Sequence, residues 1–558
     1  MRNINFKIFG LLGILVLAAF LYFYKLDSIP NGLYVDEATT GYNAYSLLKT
    51  GNDEYGKAIP IAMRFFGSYS PPLYTYLTIP VVALKSLTVF ATRFISAISG
   101  VLSVLIFFLL LESLNISKSK YTLLLGTFLF AISPWLIFYS RAGYELGLDY
   151  FFFSTSVFIF WLAIKNPKFL IPAVALFSIS TYAGHTQRIL APVFILSVLF
   201  IFRKELLSKK TMKYLLPGTV LCAIIQIPHL TILTTPAFLS KTSLFYKDVV
   251  LSQAEKISNT LPRLIALPLA ATREFFSQYL TYFSPRSLFF LPDTDPQRSI
   301  PELSVFYSWL FIPYLFGLYH IAKNKKNKKF KYILLLLLAT PIPAALAADP
   351  FSTQRALPLL LPIGLTITLG MDRLIHKLKG IYWKPILLFL TFISFLLLWR
   401  SYFVFFPNER AKAWGYGFAE LADAIRANPD TKYVIDQSRT KPVYIELAFY
   451  LKYPPEKFQQ EVDQSIARNY YTNVDFSDNY KFANIETRNL NWQEDIYKEQ
   501  VLVGDELAIS VSQAKEHFLT KVFEIRDPIE AIIFQGYKTN PKAKCQHTQN
   551  LSSFCGSP

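Results

Sequence analysis

Apolar residues in this chain come in long unbroken runs rather than in the alternating or helically periodic patterns of a soluble fold. A run of about 18 or more apolar residues is long enough to cross a hydrocarbon core as a helix. The pattern predicts about eleven spans, at approximately 7–24, 89–111, 121–138, 148–164, 168–183, 188–202, 213–232, 303–321, 331–348, 356–371 and 384–405. The first run follows a short basic stretch, Met1-Arg2-Asn3-Ile4-Asn5-Phe6-Lys7, and has no small-x-small cleavage site before further spans arrive. It is therefore expected as an uncleaved helix with its N-terminus in the cytoplasm.

The polar positions between the runs are of two kinds. If odd-numbered spans run outward, the loops after the even-numbered ones are cytoplasmic. Those loops carry Lys118 and Lys120; Lys165 and Lys168; Arg203, Lys204, Lys209, Lys210 and Lys213; Lys323, Lys325, Lys326, Lys328, Lys329 and Lys331; and Arg373, Lys377, Lys379 and Lys384. Shifting the count by one span would put every cluster outside, against the positive-inside rule. The outer side then receives the loop 25–88, short loops near 140–148 and 183–187, the long segment 233–302, the loop 348–355 and everything beyond 407.

That last region has soluble character. An amphipathic helix is predicted over 418–427, a strand over 432–436, a helix over 443–451, and strands over 499–503 and 531–535. The expected fold is an all-α polytopic membrane domain over 1–405, with extracytoplasmic loops 25–88 and 233–302. A small soluble α/β domain follows over 406–558 on the extracytoplasmic side. The expected location is the cell (inner) membrane, with many passes.

Composition agrees, with 53% of the 558 residues hydrophobic and 17% charged. The formal charge of +18 would suit a nucleic-acid partner, but the basic residues sit in short loops between spans, and no nucleic acid is expected. Of three cysteines, Cys222 lies in an apolar run and reads as a buried packing residue. Cys545 and Cys555 flank a short polar tail and pair if that tail faces an oxidising compartment. With no CxxC and scattered histidines, a zinc site has no support. Asn550-Leu551-Ser552 matches the glycosylation acceptor pattern, a short match assigned no role.

Candidate chemistry gathers in the outer loops. Just beyond the first span, Tyr34-Val35-Asp36-Glu37 introduces a helical stretch, 38–49, amphipathic enough to lie on the membrane surface. Helix capping would account for one of the two acids and leaves the second unexplained. A second cluster, Ser140-Arg141-Ala142-Gly143-Tyr144-Glu145-Leu146-Gly147-Leu148-Asp149, puts Arg141, Glu145 and Asp149 on one face if the helix is unbroken. An ordinary Arg–Glu pair would be worth a few tenths of a kcal/mol. Asp149, however, leads straight into an apolar span, where a carboxylate is costly and functional by default. His185, Arg188 and Arg355 lie on the same side, as do Lys241, Arg263 and Arg273, whose plainer reading is anchorage to lipid headgroups. Together these cations and carboxylates could grip a phosphate while a carboxylate handles a proton.

The acidic pair after the first span resembles the signature of GT-C membrane glycosyltransferases, in particular the protein O-mannosyltransferase and lipid A aminoarabinose transferase group. Gly51-Asn52-Asp53-Glu54-Tyr55-Gly56, Pro60, Ser70-Pro71-Pro72-Leu73-Tyr74-Thr75-Tyr76, Ser133-Pro134-Trp135 and the Arg355 loop are similar to bacterial members. The resemblance covers roughly 1–405. It implies transfer of a sugar from a polyprenyl-phosphate carrier to a hydroxyl of a protein, glycan or lipid acceptor, usually with inversion. Asp36 would be the general base, with Glu37 or Asp149 orienting the acceptor or tuning that base. Arg141, His185, Arg188 and Arg355 would hold the leaving phosphate, and Glu145, Tyr42 and Tyr74 are assigned to the acceptor or to positioning. No cofactor is demanded, and a divalent metal stays open. The main alternative is a transporter or flippase of lipid-linked sugars, which would set polar groups near the bilayer midplane and carry repeat symmetry that this sequence lacks. A membrane scaffold would leave the carboxylates without a purpose.

Overall fold

The computed structural model describes residues 2–239, 246–349, 351–378, 383–439, 442–462, 464–472, 479–547 and 555. Lys241, Lys379 and the Asn550–Ser552 stretch lie outside the described residues. Helices occupy all eleven segments expected to span. Among the described residues six are long and apolar enough to cross a membrane: Phe6–Phe23, Val89–Ser113, Leu146–Lys165, Lys209–Ile232, Leu357–Lys377 and Trp383–Glu409. A seventh arises if Lys120–Ala131 and Pro134–Ser140, bent by 52°, are one broken span. The bend has a local cause, since Ser133 precedes a proline, is extended and ends the first helix. Pro167–Ser180 and His185–Ile201 are apolar but shorter. The chain is a multi-pass membrane protein whose qualifying spans are fewer than the eleven expected.

The chain divides into two compact units. One comprises Met1–Leu26, Ser70–Tyr74 and Phe94–Val404, and the other comprises Asp27–Tyr69, Thr75–Arg93 and Phe405–Pro558. The first is predominantly helical among the described residues. Its segment after Leu233 forms a helical pair, Lys247–Ser258 and Arg263–Thr281, closed by Tyr246, Val250, Ala254, Ala266 and Ala270. Cys222 is a free thiol, half-buried rather than buried as expected, because Lys209–Ile232 is largely exposed.

The second unit is built on a six-stranded mixed sheet. Beyond a hairpin of β1 (Met63–Phe65) and β2 (Ser68–Ser70), its strands are β3 (Tyr433–Ile435), β4 (Tyr480–Phe482), β5 (Ile485–Thr487), β6 (Val501–Gly504), β7 (Thr520–Arg526) and β8 (Ile532–Lys538). Their order is β4-β5-β3-β6-β8-β7. β3 runs parallel to both β5 and β6, and the remaining pairs are antiparallel. Val434, Leu502, Ile509, Ala514 and Tyr537 pack on one face. The expected helices and three of the strands appear, together with β4, β5 and the exposed edge strand β7. The tail disulfide Cys545–Cys555 is formed.

Residues 27–69 fold together with the C-terminal chain, tied by tyrosines. The Tyr470 hydroxyl donates to Asp53 Oδ2 at 2.5 Å, and Tyr42 donates to the Tyr453 carbonyl at 3.0 Å. The Tyr55 and Tyr444 hydroxyls lie 3.0 Å apart. Gln459 Nε2 donates to Ser46, Thr50 and the Asp53 carbonyl. The helix expected on the membrane surface is Val35–Thr50, and it is largely buried instead, from Glu37 through Ala44. Helices Tyr444–Leu451 and Pro455–Glu461 cover it.

Candidate functional site

The acidic pair opens Val35–Thr50, and its two members have different surroundings. Glu37 is fully buried and paired side-on with Arg93, Nε to Oε1 and Nη2 to Oε2, both at 2.8 Å. Oε2 also accepts from the Tyr34 backbone N–H at 3.0 Å, satisfying a donor that the helix leaves unpaired. Arg93 completes its fork on the Pro30 and Gly32 carbonyls, at 2.9 and 2.7 Å. The capping explanation thus holds for Glu37. Asp36, one residue earlier, is half-buried in the first helical turn. There the helix dipole favours negative charge.

Deeper in the same unit a buried polar cluster surrounds Asp53 and Glu54. Asn43 grips Glu54 twice, donating from Nδ2 to Oε1 at 3.1 Å and accepting the Glu54 backbone N–H at 2.9 Å. Asp53 Oδ1 accepts from the backbone N–H groups of Tyr55 and Lys57. Burial pushes Glu54 up to about 8, with the neighbouring Asp53 adding to it. Burial likewise pushes Asp53 up to about 6, against the lowering effect of the Tyr470 hydrogen bond. The Arg64 guanidinium lies over the Tyr55 ring at 5.7 Å. Tyr42 is buried at the centre of this packing, edge-on to Phe458.

In the helical unit, Arg141 is completely buried, and its guanidinium caps the first span. Nη1 donates to the carbonyls of Leu21 and Tyr22 at 2.7 and 3.0 Å, and Nη2 to those of Tyr24 and Lys25 at 2.7 and 3.3 Å. These are the carbonyls that a helix C-terminus leaves without partners. The continuous face expected for Arg141, Glu145 and Asp149 does not form. Pro134–Ser140 ends, the chain bends through 141–144, and a new helix, Leu146–Lys165, starts after Glu145.

Asp149 and the start of helix His185–Ile201 do come together. A β-carbon added to Gly184 would fall 2.2 Å from the Asp149 carboxyl carbon, so only glycine admits this approach. Gln187, buried on the first turn of that helix, and Glu145 are both close enough to act on the same carboxyl, although the Gln187 amide atoms and Asp149 Oδ1 make no hydrogen bond among the described residues. Tyr74 packs with Leu148 and Ala183 beside this contact, and its hydroxyl bonds Ser96. His185 is half-buried on the first turn. Arg188, one turn on, donates from Nη1 to the Phe238 carbonyl at 3.2 Å and stands over the Phe238 ring at 4.8 Å. Its Nε and Nη2 make no hydrogen bond among the described residues.

Arg355 joins a different group. Its Nη1 donates to Asp349 at 2.8 Å, and Arg298 reaches the same carboxylate at 3.4 Å. Arg298 also faces Asp293 and Asp295. The Ser133-Pro134-Trp135 motif meets this loop, with Trp135 Nε1 donating to the Thr353 carbonyl at 2.9 Å and the Tyr139 hydroxyl 2.9 Å from Thr353 Oγ1. Two arginines against three aspartates leave the group with no cation to spare.

Sequence reasoning passed over Arg93, Gln187, Arg298 and Glu446. Arg93 had a signal, a lone charge in an apolar span. Glu446, in Tyr444-Ile445-Glu446-Leu447, was a lone acid between apolar residues. Among the described residues no three His, Cys, Asp or Glu side chains gather closely enough to hold a metal ion.

No protein-family model matches the chain, and no curated protein sequence matches it. Solved structures do. ArnT from Cupriavidus metallidurans bound to undecaprenyl phosphate aligns with a TM-score of 0.53 and 12% identity, covering 98% of this chain and 99% of that one. The same protein in the apo state gives 0.52 and 11% identity, covering 100% of both. The Archaeoglobus fulgidus oligosaccharyltransferase in its apo form gives 0.48 and 15%, covering 95% of this chain and 74% of that one. At these identities the likeness concerns architecture, and the architecture is the GT-C fold along the whole chain.

Proposed function

We propose that this protein is an integral-membrane glycosyltransferase moving a sugar from a polyprenyl-phosphate carrier to a hydroxyl acceptor at the extracytoplasmic face. The observation that carries the reading is the split within the acidic pair. Glu37 is consumed by Arg93 and the helix start, whereas Asp36 stays half-buried at the positive end of the helix. Support comes from the whole-length likeness to ArnT, a protein solved with undecaprenyl phosphate.

In the proposed reaction the acceptor oxygen attacks the anomeric carbon and its proton passes to the Asp36 carboxylate. The bond from anomeric carbon to phosphate oxygen breaks, its electron pair leaves with the lipid phosphate, and the centre inverts. A phosphate monoester is stable as an anion, so it calls for positive charge rather than a general acid. Arg188, with two donor nitrogens that make no hydrogen bond among the described residues, is the foremost candidate, with His185 three residues before it on the same helix. Arg355 is assigned to the same task. Its ion pair with Asp349 must be exchanged for phosphate if it takes part. Arg141 and Glu37 act as positioning residues, one fixing the end of the first span and the other the start of the helix that carries Asp36. Asp149 and Glu145 orient the acceptor, with Tyr42 and Tyr74 supporting the two regions. Eleven spans, a cytoplasmic N-terminus and an extracytoplasmic C-terminal domain belong to the same proposal.

The test is to supply purified protein in proteoliposomes with labelled polyprenyl-phosphate sugars and an acceptor extract. Formation of free polyprenyl phosphate with label in the acceptor supports transfer. Movement of intact lipid-linked sugar across the bilayer without cleavage contradicts it and favours a transporter.

A further inference from the structure

The C-terminal chain contributes a carboxyl that the reaction above does not use. Glu446 lies on helix Tyr444–Leu451, is only 4% exposed, and its Oε2 makes no hydrogen bond among the described residues. A buried polar atom without a partner is costly and calls for an explanation. Its helix packs on Val35–Thr50, the helix that begins with the acidic pair. Gly41 makes that approach close, because a β-carbon there would fall 2.6 Å from the Phe449 ring. The packing brings Glu446 within electrostatic reach of Asp36.

We propose that Glu446 is a positioning residue for Asp36, a neutral acid that leaves Asp36 as the one charged member of a carboxyl pair. This rests on the reading of Asp36 as the base. Burial, with the Asp36 charge adding to it, holds the Glu446 carboxyl well above the usual range. Tyr450, one turn on along the same helix, is acted on by Glu446 together with Arg93, Glu37 and Glu420, and its carbonyl accepts from Arg426 of helix Phe418–Ala427. Arg93 is engaged by Glu37, and the Arg426 guanidinium bonds the Tyr450 carbonyl and Asp423. Among the described residues neither cation forms a salt bridge with Glu446, and a backbone hydrogen bond only partly offsets the cost of burying its anion.

A coupled pair loses its protons in two steps that belong to the pair. Glu446 is the member that burial holds neutral, and when it ionises its new charge raises the proton affinity of the neighbouring carboxylate. The C-terminal domain thereby sets the basicity of the reacting carboxylate.

The experiment compares pH profiles of kcat/KM for the full-length wild type and Glu446→Gln. Glutamine copies the neutral acid in shape, so the acidic limb should superimpose, while the alkaline step present in the wild type should vanish. A second measurement is independent of turnover: the protonated-carboxyl infrared band of Glu446, identified by its loss in Glu446→Gln, titrated in the wild type and in Asp36→Asn. Its midpoint should fall when the Asp36 charge is removed. Superimposable profiles at every pH, or a midpoint that Asp36→Asn does not move, would overturn the proposal. If Asp36→Asn moves the midpoint yet transfers sugar at the wild-type rate, the pair is real and the assignment of the base fails instead.

Discussion

Replacing Arg93 by methionine removes four hydrogen bonds to three partners at once. The Glu37 carboxylate loses two 2.8 Å charge-assisted hydrogen bonds, and the carbonyls of Pro30 and Gly32 lose donors at 2.9 and 2.7 Å. Both side chains of the pair are fully buried, so water cannot take over these roles. Breaking a buried ion pair from one side costs about 3–5 kcal/mol, chiefly because the surviving charge is left uncompensated. The two stranded carbonyls push the value toward the top of that range. The Glu37→Met/Arg93→Met double variant removes both charges and should recover part of the loss. The assay is unfolding of detergent-purified protein, by heat and by denaturant, for the wild type, both single variants and the double. A stability for Arg93→Met within about 0.5 kcal/mol of wild type, typical of an inconsequential surface change, would refute the reasoning. So would a double variant no more stable than Arg93→Met.

Gly184→Ala should cut sugar transfer by roughly 10²-fold, the scale of a displacement of about 1 Å at a reacting site, because its methyl must push the Asp149 carboxyl away from the start of His185–Ile201; steady-state kinetics on folded protein checks it, and unchanged rates would argue against a role for Asp149. Glu54→Gln should remove part of the pH dependence of stability. The Glu54 carboxyl sits at about 8 when folded against an ordinary 4.5, so its contribution is complete below the lower value and is lost as pH rises through the upper one. The variant should gain on the wild type between about pH 5 and 9 by up to roughly 5 kcal/mol, read from unfolding midpoints. Asp53, shifted the same way, leaves a residual slope in the variant. Arg141→Met should lower the yield of folded protein and its unfolding midpoint by an amount comparable to Arg93→Met, since four carbonyls at the end of the first span lose their donor; a well-folded variant defective only in carrier binding would return Arg141 to the phosphate.

The helical segments were legible because their cause is local: apolar runs and the lysines between them act residue by residue. Helix length was less legible, since proline and glycine breaks at Ser133-Pro134 and 141–145 shorten helices without interrupting the apolar composition. The acidic pair was found, but its division of labour was not, because Arg93 lies 56 residues from Glu37 and only tertiary structure joins them. The same holds for the tyrosines near 444–471 that bind the first loop from about 400 residues away. β7 was missed because Lys521, Glu524 and Arg526 interrupt its apolar positions and irregularities in its pairing with β8 at Lys521/Phe523 and Ile525/Arg526 break the period.

The most direct measurement is single-turnover transfer by Asp36→Asn in proteoliposomes, with binding of the polyprenyl-phosphate sugar measured on the same preparation. Loss of the base should slow transfer by roughly 10²–10⁴-fold while the carrier binds as in the wild type. Transfer within a few-fold of the wild-type rate would contradict the account, and so would transfer and carrier binding lost together.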